Sequence, residues 1–224
     1  NQFKNVSTTL SLKYSPNDKN MMTPGGKLTY EKKFPQFFLN YEFGSKILDG
    51  ELNYHRLDAL AIHQFRSKLG TTTLKFLGGI SSGTAPIWKN FEITGQTDGS
   101  SEKWTSKINT PSTLGFVTMP SGTFYADKFV SLQVSQHLPF RFKTLGKTYS
   151  NIELEYKSAI GNFKNSADHQ FNFRVLDHNY QEVGLIWNRF LGRKFDVGFS
   201  YRLGYYQTSQ FKDNFGLQFR LGGF

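Results

Sequence analysis

The sequence predicts an all-β protein: an antiparallel transmembrane β-barrel of about ten strands in this chain, forming one domain over residues 1–224. Three observations predict it. Apolar and polar residues alternate over segment after segment, each bounded by turn residues, which is the mark of strands with one greasy and one polar face. Several segments reach ~10–13 residues, enough to cross a bilayer at a tilt, whereas strands of soluble proteins average about half that. Finally, the C-terminal run places Phe215, Leu217, Phe219 and Leu221 in alternation with Gly216, Gln218, Arg220 and Gly222, and ends on Phe224. An amphipathic last strand with a terminal aromatic is how bacterial outer-membrane barrels close. In lipid every backbone N–H and C=O must be paired within the protein, so a span without helices must be a closed barrel.

Taken in order, the first strand runs from Phe3 to Tyr14, with Val6, Thr8, Leu10, Leu12 and Tyr14 on one face. A polar stretch follows, then strands over 25–33 and 36–44, joined tightly at Phe34-Pro35. In the second of these, Phe37, Leu39, Tyr41 and Phe43 oppose Phe38, Asn40 and Glu42. Residues 49–65 form a long run whose register blurs near Arg56-Leu57-Asp58. A helix competes here, since Leu57, Leu60, Ala61 and Phe65 have rough helical spacing, with Asp58 and Gly70 as caps. Residues 70–80 alternate again. The irregular 81–123 segment, with three prolines and many Gly, Ser and Thr, is expected as a long extracellular or luminal loop. Strands return over 124–138, 147–160, 181–190 and 194–206, and the terminal strand is the tenth. The alternating stretch 169–176 is assigned to a loop, because counting it as a strand breaks the alternation of connection lengths.

Outer-membrane barrels use short periplasmic turns and longer extracellular loops. With the C-terminus in the periplasm, connections 207–212, 161–180, 81–123, 45–49 and 15–24 fall outside the cell. Connections 191–193, 139–146, 67–69 and 34–35 fall inside, and this set is the shorter. The greasy positions 215 to 221 are odd and Phe224 is even. A one-residue bulge at Gly222-Gly223 would restore the phase and turn Phe224 outward, since bulges favour glycine.

Composition is compatible with this fold. Hydrophobic residues make up 38 % and mean hydropathy is −0.48, with no apolar run long enough for a transmembrane helix. In a barrel only every second residue meets lipid, so low hydropathy is expected. The 23 Phe and 11 Tyr suit aromatic girdles, with a soluble β core as the plainer alternative. Cysteine is absent, so disulfide and thiolate chemistry are excluded. The sequence has neither a leader nor an initiator Met, and reads as a mature or truncated exported chain. The net charge of +10 is scattered rather than clustered. That argues against nucleic acid and for solvated loops or rims beside lipopolysaccharide phosphates.

If the greasy residues meet lipid, the alternate positions face a lumen. They form a charged set of Glu42, Lys75, Glu153, Glu155, Lys157, Glu182, Asp196, Arg202 and Arg220, with Gln218 beside them. Buried charges are tolerable only when paired, hydrogen-bonded or wet. The expected lumen is therefore lined by ion pairs and narrowed by the long loop. The inverse arrangement, a soluble ligand-binding barrel with the aromatic face inside, remains the alternative.

Catalytic patterns are sparse, and neither catalytic, cofactor nor metal residues are expected. Gly79-Ile-Ser-Ser-Gly83 matches a nucleophile elbow around Ser81, but Thr84-Ala-Pro86 follows where a helix is needed. The five histidines make no metal-binding pair spacing. Phosphate-binding glycine loops are absent. The enzyme alternative is an outer-membrane hydrolase built on Asp168-His169 and Asp177-His178. Adjacent residues of an extended chain point opposite ways, so a dyad there should need a partner from another loop.

The stretches Phe116-Val-Thr-Met119, Phe124 to Leu132, Tyr180 to Asn188 and Tyr201-Arg-Leu-Gly-Tyr205 carry a resemblance. From about residue 35 onward the chain resembles the C-terminal barrel of a diderm-bacterial family of unknown function, often preceded by a carboxypeptidase-regulatory-like domain. The layout is also similar to the last ten strands of sixteen-stranded outer-membrane assembly and two-partner-secretion barrels, where a long loop before the final five strands folds into the lumen. That loop carries an Arg-Gly-Phe/Tyr tip in those machines. No such tripeptide occurs here, which argues against insertion or secretion activity. The resemblance implies a ten-strand barrel or part of a larger one, the larger being favoured. The expected function is a non-enzymatic structural, transport or complex-accessory subunit in contact with outer-membrane lipid, lipopolysaccharide and other outer-membrane subunits.

Overall fold

The computed structural model describes residues 4–46, 50–93, 115–119, 122–143, 149–164, 172–190 and 195–221. They are almost entirely antiparallel β. The strands are β1 (Ser7–Tyr14), β2 (Lys19–Thr23), β3 (Gly26–Glu31), β4 (Gln36–Gly44), β5 (Tyr54–Ser67), β6 (Gly70–Gly83), β7 (Phe91–Glu92), β8 (Tyr125–Ala126), β9 (Lys128–His137), β10 (Phe142–Lys143), β11 (Tyr149–Asn162), β12 (Tyr180–Asn188), β13 (Phe195–Leu203) and β14 (Phe215–Leu221). The main sheet has ten strands. Nine form a meander in the order β1-β4-β5-β6-β9-β11-β12-β13-β14, and the two-residue β10 pairs with β11. Among the described residues β1 and β14 pair with nothing on their outer edges, so the sheet is not closed.

Alternate connections lie at opposite ends of the sheet. Connections 45–53, 84–127, 163–179 and 204–214 share one end, here the loop end. Connections 15–35, 68–69, 138–148 and 189–194 share the other, the turn end. This corrects the sequence reading in one place. Residues 25–33 are not a strand of the main sheet, so 15–24 belongs to the turn end together with 34–35. The reason is local. The Thr23-Pro-Gly-Gly26 turn, with Gly26 at φ +111 and Thr23 Oγ1 donating to the Gly26 carbonyl at 2.8 Å, folds β3 back onto β2. That hairpin leaves β4 free to pair with β1, with Leu10 opposite Tyr41. The helical alternative over 57–65 is also displaced: this stretch is the middle of β5, paired on both sides.

Register sorts side chains into two faces. One row reads Leu74, Val134, Tyr156, Val183, Tyr201 and Phe215 across six strands. The opposite face carries Ile62, Lys75, Gln133, Lys157, Glu182 and Arg202 in a single row. Burial is inverted relative to a soluble sheet. Asn40, Glu42, Asp58, Gln133, Lys157 and Glu182 are buried, whereas Leu10, Leu12, Phe76, Leu217 and Phe219 are each more than half exposed, Phe219 at 75 %. From β4 to β14 the exposed face is mostly apolar, and the polar side chains of the other face are largely covered by the polypeptide.

What covers them comes from the loop end. The main apolar cluster joins Ile93, Phe116, Met119, Phe124 and Ala126 of the 84–127 connection to Leu176, Tyr206, Ala159 and Tyr180. Phe124, Tyr180 and Tyr206 meet edge to face or tilted, with centroids 5.4–6.1 Å apart, a favourable quadrupole arrangement. At the turn end the β2–β3 hairpin is tied down by Asp18, whose Oδ1 accepts the Lys33 N–H at 2.7 Å and Gln36 Nε2 at 3.2 Å.

Candidate functional site

The polar face holds two carboxylates, each gripping one limb of the 84–127 connection. Glu42 on β4 accepts the Tyr54 hydroxyl at 2.8 Å and Lys89 Nζ at 2.5 Å. Lys89 is delivered by a 3-10 turn, Ile87–Lys89, entered from Pro86 and closed by the Asn90 N–H to the Ile87 carbonyl at 3.1 Å. The limb then lies on the sheet. Phe91 packs on Phe129 with centroids 4.9 Å apart, and the Arg56 guanidinium sits 4.4 Å over its ring. A Cβ on Gly79 would lie 2.5 Å from that ring, so glycine is what admits Phe91. Arg56 stands 3.5 Å from Asp58, and Asn40 Nδ2 donates to Asp58 at 2.9 Å.

Glu182 on β12 takes the returning limb by its main chain. It accepts the Val117 N–H at 3.1 Å, the Thr118 N–H at 2.8 Å and the Thr118 hydroxyl at 2.8 Å. Two flanking cations complete the grip: Lys157 donates to the Gly115 carbonyl at 3.0 Å and Arg202 donates to the Thr118 carbonyl. Lys157 also lies 3.3 Å from Glu155 and 4.0 Å from Glu182. Gly216 makes room, since a Cβ there would meet the Val117 side chain at 2.8 Å. Removing these charges from water is costly, and ionic partners together with main-chain hydrogen bonds offset that cost. Chemically this is a polypeptide clamp, with acceptors for N–H and donors for C=O.

The remaining sequence-derived positions fall around the clamp. Lys75, Thr73, Gln133, Ser135, Glu155 and Lys157 line a small polar cleft on its turn-end side. Glu153 is buried 3.4 Å from His137 Nε2. Asp196 accepts the Arg189 N–H at 2.7 Å, and Arg220 stands opposite it in the β13–β14 ladder. Phe215, Leu217 and Phe219 lie on the exposed apolar face, and Leu221 pairs with Phe195. Phe224 and the Gly222-Gly223 bulge lie outside the described residues, as do Asp168 and His169. Sequence reasoning missed Tyr54, Lys89, Val117 and Thr118. The signal available was the positive-negative-positive row Lys157–Glu182–Arg202, which anticipates a ligand of mixed polarity such as a peptide main chain.

Two catalytic candidates resolve differently. Ser81 continues β6 and hydrogen-bonds to Asn90, so no elbow forms. Asp177 and His178, expected to diverge, are in contact: Asp177 Oδ1 lies 3.0 Å from His178 Nδ1 and accepts the Tyr206 hydroxyl at 2.9 Å. The hydrogen bonds from His178 and then Tyr206 hold the Asp177 carboxyl below the usual carboxylate range. Burial pushes the Tyr206 phenol up to about 12, so it stays protonated as a donor. His178 stacks on Tyr205 at 3.7 Å. The hydroxyl in this cluster therefore donates to the acid rather than to the imidazole, an arrangement that orients the loop. Among the described residues no group of three His, Asp or Glu could hold a metal ion.

Residues 1–80, spanning β1 to most of β6, are similar to the C-terminal domain of a family of unknown function, DUF5686. The match includes Glu42 and stops before the 84–127 connection, whereas the stretches that carry the resemblance described from the sequence lie beyond it. No curated protein matches the chain.

Proposed function

We propose that the protein is an integral outer-membrane β-barrel subunit without enzymatic activity, serving a structural, transport or complex-accessory role. Its interior is charged and narrowed by its own 84–127 connection. The observation that carries this reading is the inverted burial of the sheet. An antiparallel sheet in water places its apolar face on a core and its polar face in solvent. Here Leu132, Leu154, Leu185, Phe199 and Leu217 are exposed while Lys157 and Glu182 are buried. Contiguous exposed apolar surface of this extent is unfavourable in water and is the surface that lipid takes. In this reading the C-terminus and the turn end face the periplasm, and the loop end faces lipopolysaccharide. Detergent-purified protein should show heat-modifiable gel migration, and planar bilayers should show low or no conductance. A chain that is monodisperse without detergent would return the reading to a soluble ligand-binding barrel. The Asp177–His178 contact keeps a hydrolase as the second reading. Hydrolytic activity that disappears on replacing both residues would support it.

A further inference from the structure

We infer that the sheet closes only with strands from outside residues 1–224, odd in number and more than one. This rests on the barrel reading above. The first observation is parity. β1 runs from the loop end to the turn end, and so does β14, because the meander has nine strands. Bringing β14 to β1 would make a parallel seam in an otherwise antiparallel sheet, whereas single-chain outer-membrane barrels close antiparallel with an even count. A second copy does not help. Copies in one membrane share an orientation, so β14 of one and β1 of the next are again parallel. Only a set beginning and ending with strands of the opposite direction, hence an odd number, pairs both edges antiparallel.

The second observation is what the polar face holds. A barrel of about eight strands has an interior just wide enough for its own side chains. Here the main chain of Gly115, Val117 and Thr118 lies across β11, β12 and β13, and Ile87–Lys89 and Phe91 lie across β4 to β9. One extra strand, making ten, leaves too little room for two polypeptide limbs. Roughly three or more are required. The third observation is local. Every residue of β1 is exposed on both faces, Ser7, Thr9, Ser11 and Lys13 of the polar face included, whereas Gln218 on β14 is buried. The covering material is therefore deficient on the β1 side, where the added strands and their inward side chains would stand. The strands that fit alternate apolar and polar residues, as β4 does.

The test uses the protein in the outer membrane of the cell that makes it. A photoreactive residue replaces Leu10 in one variant and Leu217 in another, and adducts are mapped by peptide mass spectrometry. Both sites are expected to reach alternating strand segments outside residues 1–224. A double variant, Leu10→Cys with Leu217→Cys, is expected to stay reduced under oxidant, as is a second pair, Leu12→Cys with Phe219→Cys. An intrachain disulfide in either pair, an adduct between β1 and β14 of the same or another copy, or no outside adduct at both sites overturns the inference. If these occur in a protein with heat-modifiable migration, the barrel reading stands and the inference alone fails. Loss of heat-modifiable migration in the unmodified protein overturns both.

Discussion

The two limbs of the 84–127 connection are held by the same kind of side chain in different ways. Glu42 grips another side chain, Lys89, which is 22 % exposed. Glu182, 1 % exposed, grips two main-chain N–H groups and a hydroxyl, with Lys157 and Arg202 completing the network. A side-chain pair can be lost with one partner still reaching water. A main-chain clamp cannot, because its loss leaves buried N–H donors without an acceptor and takes from Lys157 and Arg202 the carbonyls they hold. The returning limb should therefore be the more firmly seated.

Glu182→Ala tests this most severely. Leaving the Val117 and Thr118 amides without their acceptor, and Lys157 without the carboxylate 4.0 Å away, should cost about 3–5 kcal/mol, read as a fall in the heat-modification midpoint in detergent. Glu182→Gln keeps one acceptor and should lose about half as much. Equal, small losses in both variants would show that the clamp contributes little. The next effect comes from the other side of the same strand. Leu185 lies between Leu154 and Phe199 on the exposed apolar face. Leu185→Arg should cost about 2–4 kcal/mol in a bilayer, whereas in water an exposed Leu-to-Arg change is close to neutral. Folding yields into lipid vesicles measure it, and a neutral outcome would remove lipid from that face. Lys89→Met should cost less than either, about 1–2 kcal/mol, because Tyr54 still donates to Glu42. A double-mutant cycle with Glu42→Gln isolates the pair.

How much of this was legible follows the same division. Alternation fixes which residues share a face, so the apolar row through Val134, Tyr156 and Val183 and the buried charges Glu42, Lys157 and Glu182 could be read directly. Pairing is less legible. Residues 25–33 alternate as convincingly as β4, yet a Pro-Gly-Gly turn lets them find a nearer partner, and only topology tells a local hairpin from a sheet strand. The clamp partners were illegible for a physical reason. Every non-proline residue offers an N–H, so nothing in Val117-Thr118 announces that Glu182 will hold it, whereas Lys89 at least carries a charge to be matched. Asp177-His178 misled in the opposite sense, because the argument from extended chain fails where a connection bends.

A third carboxylate supplies the reference for both clamps. Asp18 lies in the 15–35 connection, away from the sheet interior, with its side chain 3 % exposed. Burial alone would raise its pKa. Hydrogen bonds from the Lys33 N–H, then Lys13 and Gln36, outweigh burial and hold the carboxyl below its ordinary value. A carboxylate lowered on folding stabilises the folded form above the unfolded pKa of ~3.9 and loses that contribution as pH falls through the lowered folded value. The amount is about 1 kcal/mol, set by the N–H bond, since the Lys13 side chain is 43 % exposed and contributes little. Amide exchange of the β2–β3 hairpin should therefore slow less at about pH 3 than the central strands β5 and β6 do, relative to pH 6. Asp18→Asn should remove that pH dependence while leaving the two clamps untouched. If the hairpin and the central strands respond to acid alike in both proteins, Asp18 does not tie the hairpin down, and the turn end owes its order to β1 and β4 alone.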